Sequence, residues 1–218
     1  MNKSQLTNFI TKYTLGGEIK STKWTSDGNS LSTRFISGDK SVVGSVVLSK
    51  FNHLSPCELG VYNTGQLSSL LSVLGDDVEV SLSNSGDKFI SMEFEDTKRK
   101  TKSKYMLSDL SVIPTPPELK NLPDSFELGI KVDPYFVNTF ISGKGALAEA
   151  ETFTILTENG ETKIVIGYAS IASNRVTIPV ETTKQADIEP ISFNANMFAS
   201  ILNANKDCES ATLEVSSA

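Results

Sequence analysis

The chain repeats itself. Shifted by 131 residues without a gap, Asn8-Phe9-Ile10-Thr11 falls on Thr139-Phe140-Ile141-Ser142, and Leu6 falls on Val137. The same shift carries the turn Asp27-Gly28-Asn29 onto Glu158-Asn159-Gly160. It also carries Tyr62-Asn63, with Leu67, Leu70 and Leu71, onto Phe193-Asn194, with Phe198, Ile201 and Leu202. Identities are few, so the constant offset carries the inference. One motif in register is chance, or two unrelated helices of similar period; three at one shift point to a duplicated structural unit. A chain of 218 residues has room for two such units of about 100 residues, each with its own core.

Each half opens on a helix and continues in strands, which predicts an α+β class built twice. Leu6, Phe9, Ile10 and Tyr13 recur at i, i+3, i+4 and i+7, the stripe of an amphipathic helix. Asp133-Pro134 opens the matching helix with a capping carboxylate and a proline at the first helical position. A second, shorter helix runs from a cap at Asn63, with Gln66 three residues on, through Leu67, Leu70, Leu71 and Leu74 to a stop at Gly75. Strand-like runs fall at 17–26, 30–37, 41–48, 78–82, 88–94 and 102–107, then at 153–156, 163–168, 176–180 and 211–215, with Asp27-Gly28 and Ser85-Gly86-Asp87 as hairpin turns. Residues 113–123 hold four prolines and can be neither helix nor central strand. The expected organisation is therefore domain 1 at 1–111, an extended connector at 112–125 and domain 2 at 126–218. By the offset, domain 2 should continue through equivalents of Phe94 and Leu107. The sequence instead ends after a single strand, so domain 2 is expected to be C-terminally shortened, with an unpaired sheet edge.

Composition narrows the chemistry. No run approaches the roughly 18 apolar residues of a membrane span, and the first residues lack the apolar core of a secretory signal. A non-membrane, cytosolic location is expected. Cys57 and Cys208 are neither a disulfide framework nor a zinc site, and the lone His53 has no metal-ligand or catalytic partner nearby. No cofactor, metal or catalytic residue is expected, and the chain reads as a non-enzyme. The net charge of −6 argues against a tight grip on phosphates. Yet the predicted helix windows 2–15, 64–74, 134–147 and 195–206 contain Lys3, Lys12, Lys144 and Lys206 and no Asp or Glu, although the chain has 26 acids. The plainer explanation is that buried helices avoid carboxylates. The functional one turns all four helices toward one polyanion while the sheets stay acidic, a modest local charge that suits weak, sequence-independent phosphate contacts.

Residues 58–81, from Glu58-Leu59-Gly60-Val61-Tyr62-Asn63 through the leucine helix to Asp76-Asp77-Val78-Glu79-Val80-Ser81, resemble the second-helix region of DNA sliding clamps of the T-even bacteriophage type. The opening Asn8-Phe9-Ile10-Thr11-Lys12 and Leu15-Gly16-Gly17-Glu18-Ile19 is similar to that family's first helix and the turn that follows it. Ser103-Lys104-Tyr105-Met106-Leu107-Ser108 resembles the last strand of a clamp domain. The resemblance covers nearly the whole chain, and the order and spacing of the motifs carry it. It implies a DNA clamp fold, two repeated domains each with two helices on the inner face of antiparallel sheets. It further implies a homotrimeric head-to-tail ring around duplex DNA, acting in the cytoplasm of an infected bacterial host. A clamp loader would load it, and the replicative DNA polymerase would bind it through a short hydrophobic peptide. Lys12 falls where such clamps carry a DNA-facing lysine. The peptide pocket would lie beside the connector, where Val112, Ile113, Pro114, Leu119 and Leu122 are the apolar candidates; connector residues laid onto the sheets explain them equally well.

Other signals are local. Residues 98–104 carry five positive charges in seven, read first as a solvated hairpin and second as a DNA contact at the ring face. Gly143-Lys144-Gly145 lacks the frame of a phosphate loop. The competing expectation from another class is a β-rich phage structural or assembly protein without clamp activity, whose acid-free helices are core elements.

Overall fold

A computed structural model describes residues 1–118, 125–169, 171 and 173–217. Among the described residues the protein is a mixed α+β chain of four α-helices and four antiparallel sheets, and it divides into two compact units, Met1–Glu118 and Leu119–Ala218.

Unit 1 runs α1 (Lys3–Thr14), β1 (Thr22–Ser26), β2 (Ser30–Ile36), β3 (Val43–Ser49), β4 (Cys57–Val61), α2 (Thr64–Ser72), β5 (Val78–Ser85), β6 (Lys88–Asp96) and β7 (Lys102–Met106). Its first sheet has the order β3-β2-β1-β4 and its second β5-β6-β7. The apolar stripe read from the sequence is the buried face of α1: Leu6, Phe9, Ile10 and Tyr13. Phe9 and Tyr13 meet Trp24 of β1 edge-to-face, with ring centroids 5.5 and 6.4 Å away. The two polar tips in this apolar site satisfy each other: Trp24 Nε1 donates to the Tyr13 hydroxyl at 3.2 Å, and that hydroxyl donates to Thr64 Oγ1 at 3.3 Å. Burial pushes the Tyr13 phenol well above its ordinary range, so it remains a neutral donor.

Unit 2 runs β8 (Leu128–Val132), α3 (Pro134–Ala146), β9 (Thr152–Glu158), β10 (Glu161–Ile166), β11 (Val176–Pro179), β12 (Thr182–Lys184), β13 (Ile191–Asn194), α4 (Ala195–Ala204) and β14 (Ala211–Val215). Its first sheet, β11-β10-β9-β13, has the same order as that of unit 1. The 131-residue offset extends to hydrogen bonds. Asn2 caps α1 and Asp133 caps α3; Asn63 caps α2 and Asn194 caps α4. Lys23 faces Arg34 across the first hairpin, and Thr154 faces Val165. The second sheets differ: in unit 2 the strand before the first helix, β8, is central between β12 and β14.

Sequence periodicity located the helices to within two residues and missed several strands. The run 17–26 begins in a short 3₁₀ turn, Leu15–Gly17, with Leu15 itself at φ 47°, so β1 starts only at Thr22. Strands β4, β8, β12 and β13, of three to five residues each, have too few positions to show an alternation. Gly75 lies beyond α2, which ends at Ser72. Its role is close approach: its N–H donates to Asp96 Oδ2 at 2.8 Å, and a Cβ there would stand 2.5 Å from that oxygen.

After β7 the chain is strapped onto unit 1 as far as Pro117. Ser108 N donates to Gly60 O at 2.9 Å, Ile113 is 5% exposed, and Arg34 Nη2 donates to Pro117 O at 2.6 Å. Gly60 is what lets the strap lie so close, since a Cβ there would sit 2.3 Å from Ser108 O, a backbone atom with little room to move. Gly60→Ala is expected to destabilise unit 1 by about 2 kcal/mol, read as a lowered denaturation midpoint at unchanged slope; an unaltered midpoint would mean the strap is not seated there.

Candidate nucleic-acid interface

In unit 1 the two helices run antiparallel. Lys3 N donates to Asp76 O beyond the end of α2, and Thr64 N at the start of α2 donates to Lys20 O beyond the end of α1. With the apolar stripes turned inward, α1 exposes Ser4, Gln5, Thr7, Asn8 and Thr11, and α2 exposes Gly65, Gln66, Ser69 and Ser72. In unit 2, Tyr135, Asn138 and Ser142 of α3 and Asn196 and Asn203 of α4 are exposed.

None of the four helices contains an aspartate or glutamate. Burial does not account for this, because so many of the helix positions are in water. Helix stability does not account for it either. The first turn of an exposed helix is where carboxylates are most favourable, set against the positive end of the dipole, and all four first turns lack them. What remains is a surface of hydroxyl and amide groups that can approach an anion without carboxylate repulsion.

The four lysines expected on this surface are not equivalent. Lys12 is half-buried in a groove between α1 and β3, beside Gln5, Asn8 and Val47. Lys3 turns its ammonium onto Leu74 O, capping the C-terminal end of α2. Lys206 is exposed, two residues past the end of α4. Lys144 is a correction: it is 8% exposed, and its Nζ donates to Ala148 O at 2.7 Å and Leu147 O at 3.4 Å. The 131-residue offset explains this, because it sets Lys144 against Tyr13, an inward position, rather than against Lys12. Its charge is occupied with the carbonyls that follow α3.

The sheets carry the ion pairs. The basic run 98–104 is a hairpin with its four lysines matched: Lys98 to Asp77 at 2.9 Å, Lys100 and Lys102 to Glu95 at 3.6 and 2.9 Å, and Lys104 to Glu93 at 2.8 Å. Lys88 meets Asp109 at 2.6 Å. These ammonium groups hold Glu93, Glu95 and Asp109 below the usual carboxylate range. The Ser37 and Ser41 donors bring Asp39 down to about 2, and the backbone N–H groups of Arg99, Gly75 and Lys98 lower Asp96.

Of the connector residues, Val112 is 56% exposed, Pro114 is exposed, and Ile113 is the buried plug of the strap. Leu119 and Leu122 lie outside the described residues. A groove of ≈ 460 Å³ is lined by Phe89, Ile90, Leu107 and Leu110, with Asp87 and Asp109 among its polar residues. Sequence reading passed over Phe89 and Ile90. The available signal was their adjacency: two neighbouring apolar residues on a strand point to opposite faces, so one of them must leave the core.

Among the described residues no helix is long and apolar enough to cross a membrane. No protein-family model matches the chain, and a search of the curated proteins finds no match.

Two outcomes follow. Lys144→Ala leaves carbonyls unpaired and should cost about 1–2 kcal/mol of stability without altering affinity for DNA; a loss of DNA affinity at unchanged stability would return Lys144 to the surface set. Six lowered carboxylates, the five named above and Asp27, belong to unit 1, and Glu127 of unit 2 is lowered by its Ser217 donors. A depressed folded pKa lends stability that is present above the unfolded value, about 4, and lost as pH falls through the folded value. Circular-dichroism melts of the intact chain should therefore show a level midpoint above about pH 5 and a falling one below about pH 4; a midpoint that rises on acidification would contradict the assignment.

Proposed function

We propose that the chain is the subunit of a DNA sliding clamp: a non-catalytic ring, three copies joined head to tail, that encircles duplex DNA and tethers the replicative polymerase. The observation that carries the reading is the duplicated unit whose helices, with exposed polar faces in both copies, lack every carboxylate. A ring retains DNA by topology, so its inner surface needs only weak contacts made at any sequence. Hydroxyls, amides and a few cations such as Lys12 and Lys206 suit that task better than a dense basic patch, which would slow sliding. The same logic accommodates a net charge of −6, since no acid lies within the four helices.

The polymerase's peptide is assigned to the groove at Phe89, Ile90 and Leu110. Its apolar floor suits a hydrophobic anchor, and Asp87 and Asp109 suit a basic residue beside it. A clamp loader opens and closes the ring in this reading.

Solution mass by light scattering across protein concentration, at low salt, is the first test. A trimer is expected; a monomer at every concentration would remove the ring and leave a β-rich structural protein as the better description. Contact with DNA is tested separately. Lys12→Ala should lower the slope of log affinity against log salt by about 1, whereas an unchanged slope would take Lys12 off the DNA.

A further inference from the structure

Where the C-terminal end of α1 meets the N-terminal end of α2, unit 1 has a groove of ≈ 710 Å³ whose lining includes Thr14, Lys20, Ser21, Tyr62, Asn63 and Ser68. None of its lining residues is acidic, and Glu18, two residues before Lys20, is not among them. Tyr62 leaves a large aromatic ring 58% exposed. Lys20 is exposed, and among the described residues it has no ion-pair partner.

The backbone that presents these side chains is fixed. Thr64 donates from both its N–H and its Oγ1 to Lys20 O, at 3.0 and 3.1 Å, and Asn63 N donates to the Tyr105 hydroxyl at 2.9 Å. Unit 2 keeps the framework, with Ala195 N donating to Glu151 O at 2.8 Å at the equivalent positions. The chemistry is kept only in part. By the 131-residue offset Ser21 becomes Thr152 and Tyr62 becomes Phe193, but Lys20 becomes Glu151, Thr14 becomes Gly145 and Ser68 becomes Ala199. The cation and two of the three hydroxyls are thus a property of unit 1, placed on a scaffold that does not require them.

We infer that this groove binds single-stranded nucleic acid, with one unstacked base on the Tyr62 ring and the adjoining phosphate held by Lys20 and the hydroxyls of Thr14, Ser21 and Ser68. A base inside a duplex already has stacking partners on both faces, so the ring selects a strand whose bases are free. The inference rests on the reading that the helical layer faces nucleic acid, but it does not need a ring.

The test is fluorescence anisotropy of a labelled oligothymidylate of about twelve nucleotides with the intact chain at low salt, beside a duplex of the same length. Wild-type protein should prefer the single strand. Tyr62→Ala and Lys20→Glu should each weaken its binding about ten-fold or more, and Tyr62→Phe should retain it. Both side chains are exposed, so these variants keep the fold, and a melt confirms it. No binding, equal binding of duplex and single strand, or a loss with Lys20→Glu alone would each overturn the inference, the last because it describes phosphate contact without stacking. Solution mass by light scattering is measured in parallel. If the chain is a monomer at every concentration while Tyr62-dependent binding persists, the ring fails and the groove stands; a trimer without Tyr62-dependent binding removes the groove alone.

Discussion

Everything exposed on the helical layer depends on one repeated position turned the other way. Phe9 and Phe140, 131 residues apart, are 2% and 0% exposed. Phe9 meets Tyr13 and Trp24 at 5.5 Å; Phe140 meets Phe153 and Phe198 at 5.1 and 4.9 Å. Burying a ring of this size stabilises by about 1.5–3 kcal/mol, and this contact sets the rotation of each first helix about its axis. Once that rotation is fixed, Thr7, Asn8 and Thr11 around Phe9, and Asn138 and Ser142 around Phe140, are committed to water. The polar face of the helix is the complement of its aromatic anchor.

Charge is partitioned between the layers with the same economy. The helices contribute donors and few ions, and the strands contribute ions matched in pairs, as across β6 and β7. Exposed pairs of this kind add little stability individually, about 0–1 kcal/mol. Their larger effect is to occupy cations that would otherwise compete with the helices for an anionic ligand. In the reading proposed for the protein, that partition is what allows an acidic chain to sit around an acidic polymer.

The parts legible in the sequence were those written in local chemistry. Helix caps at Asn63 and Asp133, the stripe Leu6-Phe9-Ile10-Tyr13 and the hairpin turns depend on residues a few positions apart, and the constant offset tied the two halves together. Tertiary context decided the remainder. The short strands β8, β12 and β13 exist because a neighbouring strand supplies their hydrogen bonds. Gly75 looked like a helix stop and is a seat for Asp96, which comes from a strand 21 residues away. Lys144 looked like a partner of Lys12 because both are lysines near the end of a first helix; counting by the offset rather than by residue type would have placed it inside. At the connector, Ile113 was legible only as apolar, and whether it plugs the sheet or lines a pocket depends on Gly60, more than fifty residues earlier.

The ladder of ion pairs along β6 and β7 has a consequence best put in the language of multipoles. Lys102 against Glu95 and Lys104 against Glu93, at 2.9 and 2.8 Å, act at a distance as small dipoles whose fields largely cancel. Their influence falls off faster than that of a single charge, and within about 10 Å at ordinary ionic strength it is screened away. A polyanion approaching β6 and β7 from solution therefore meets a far field set by the charges outside these pairs.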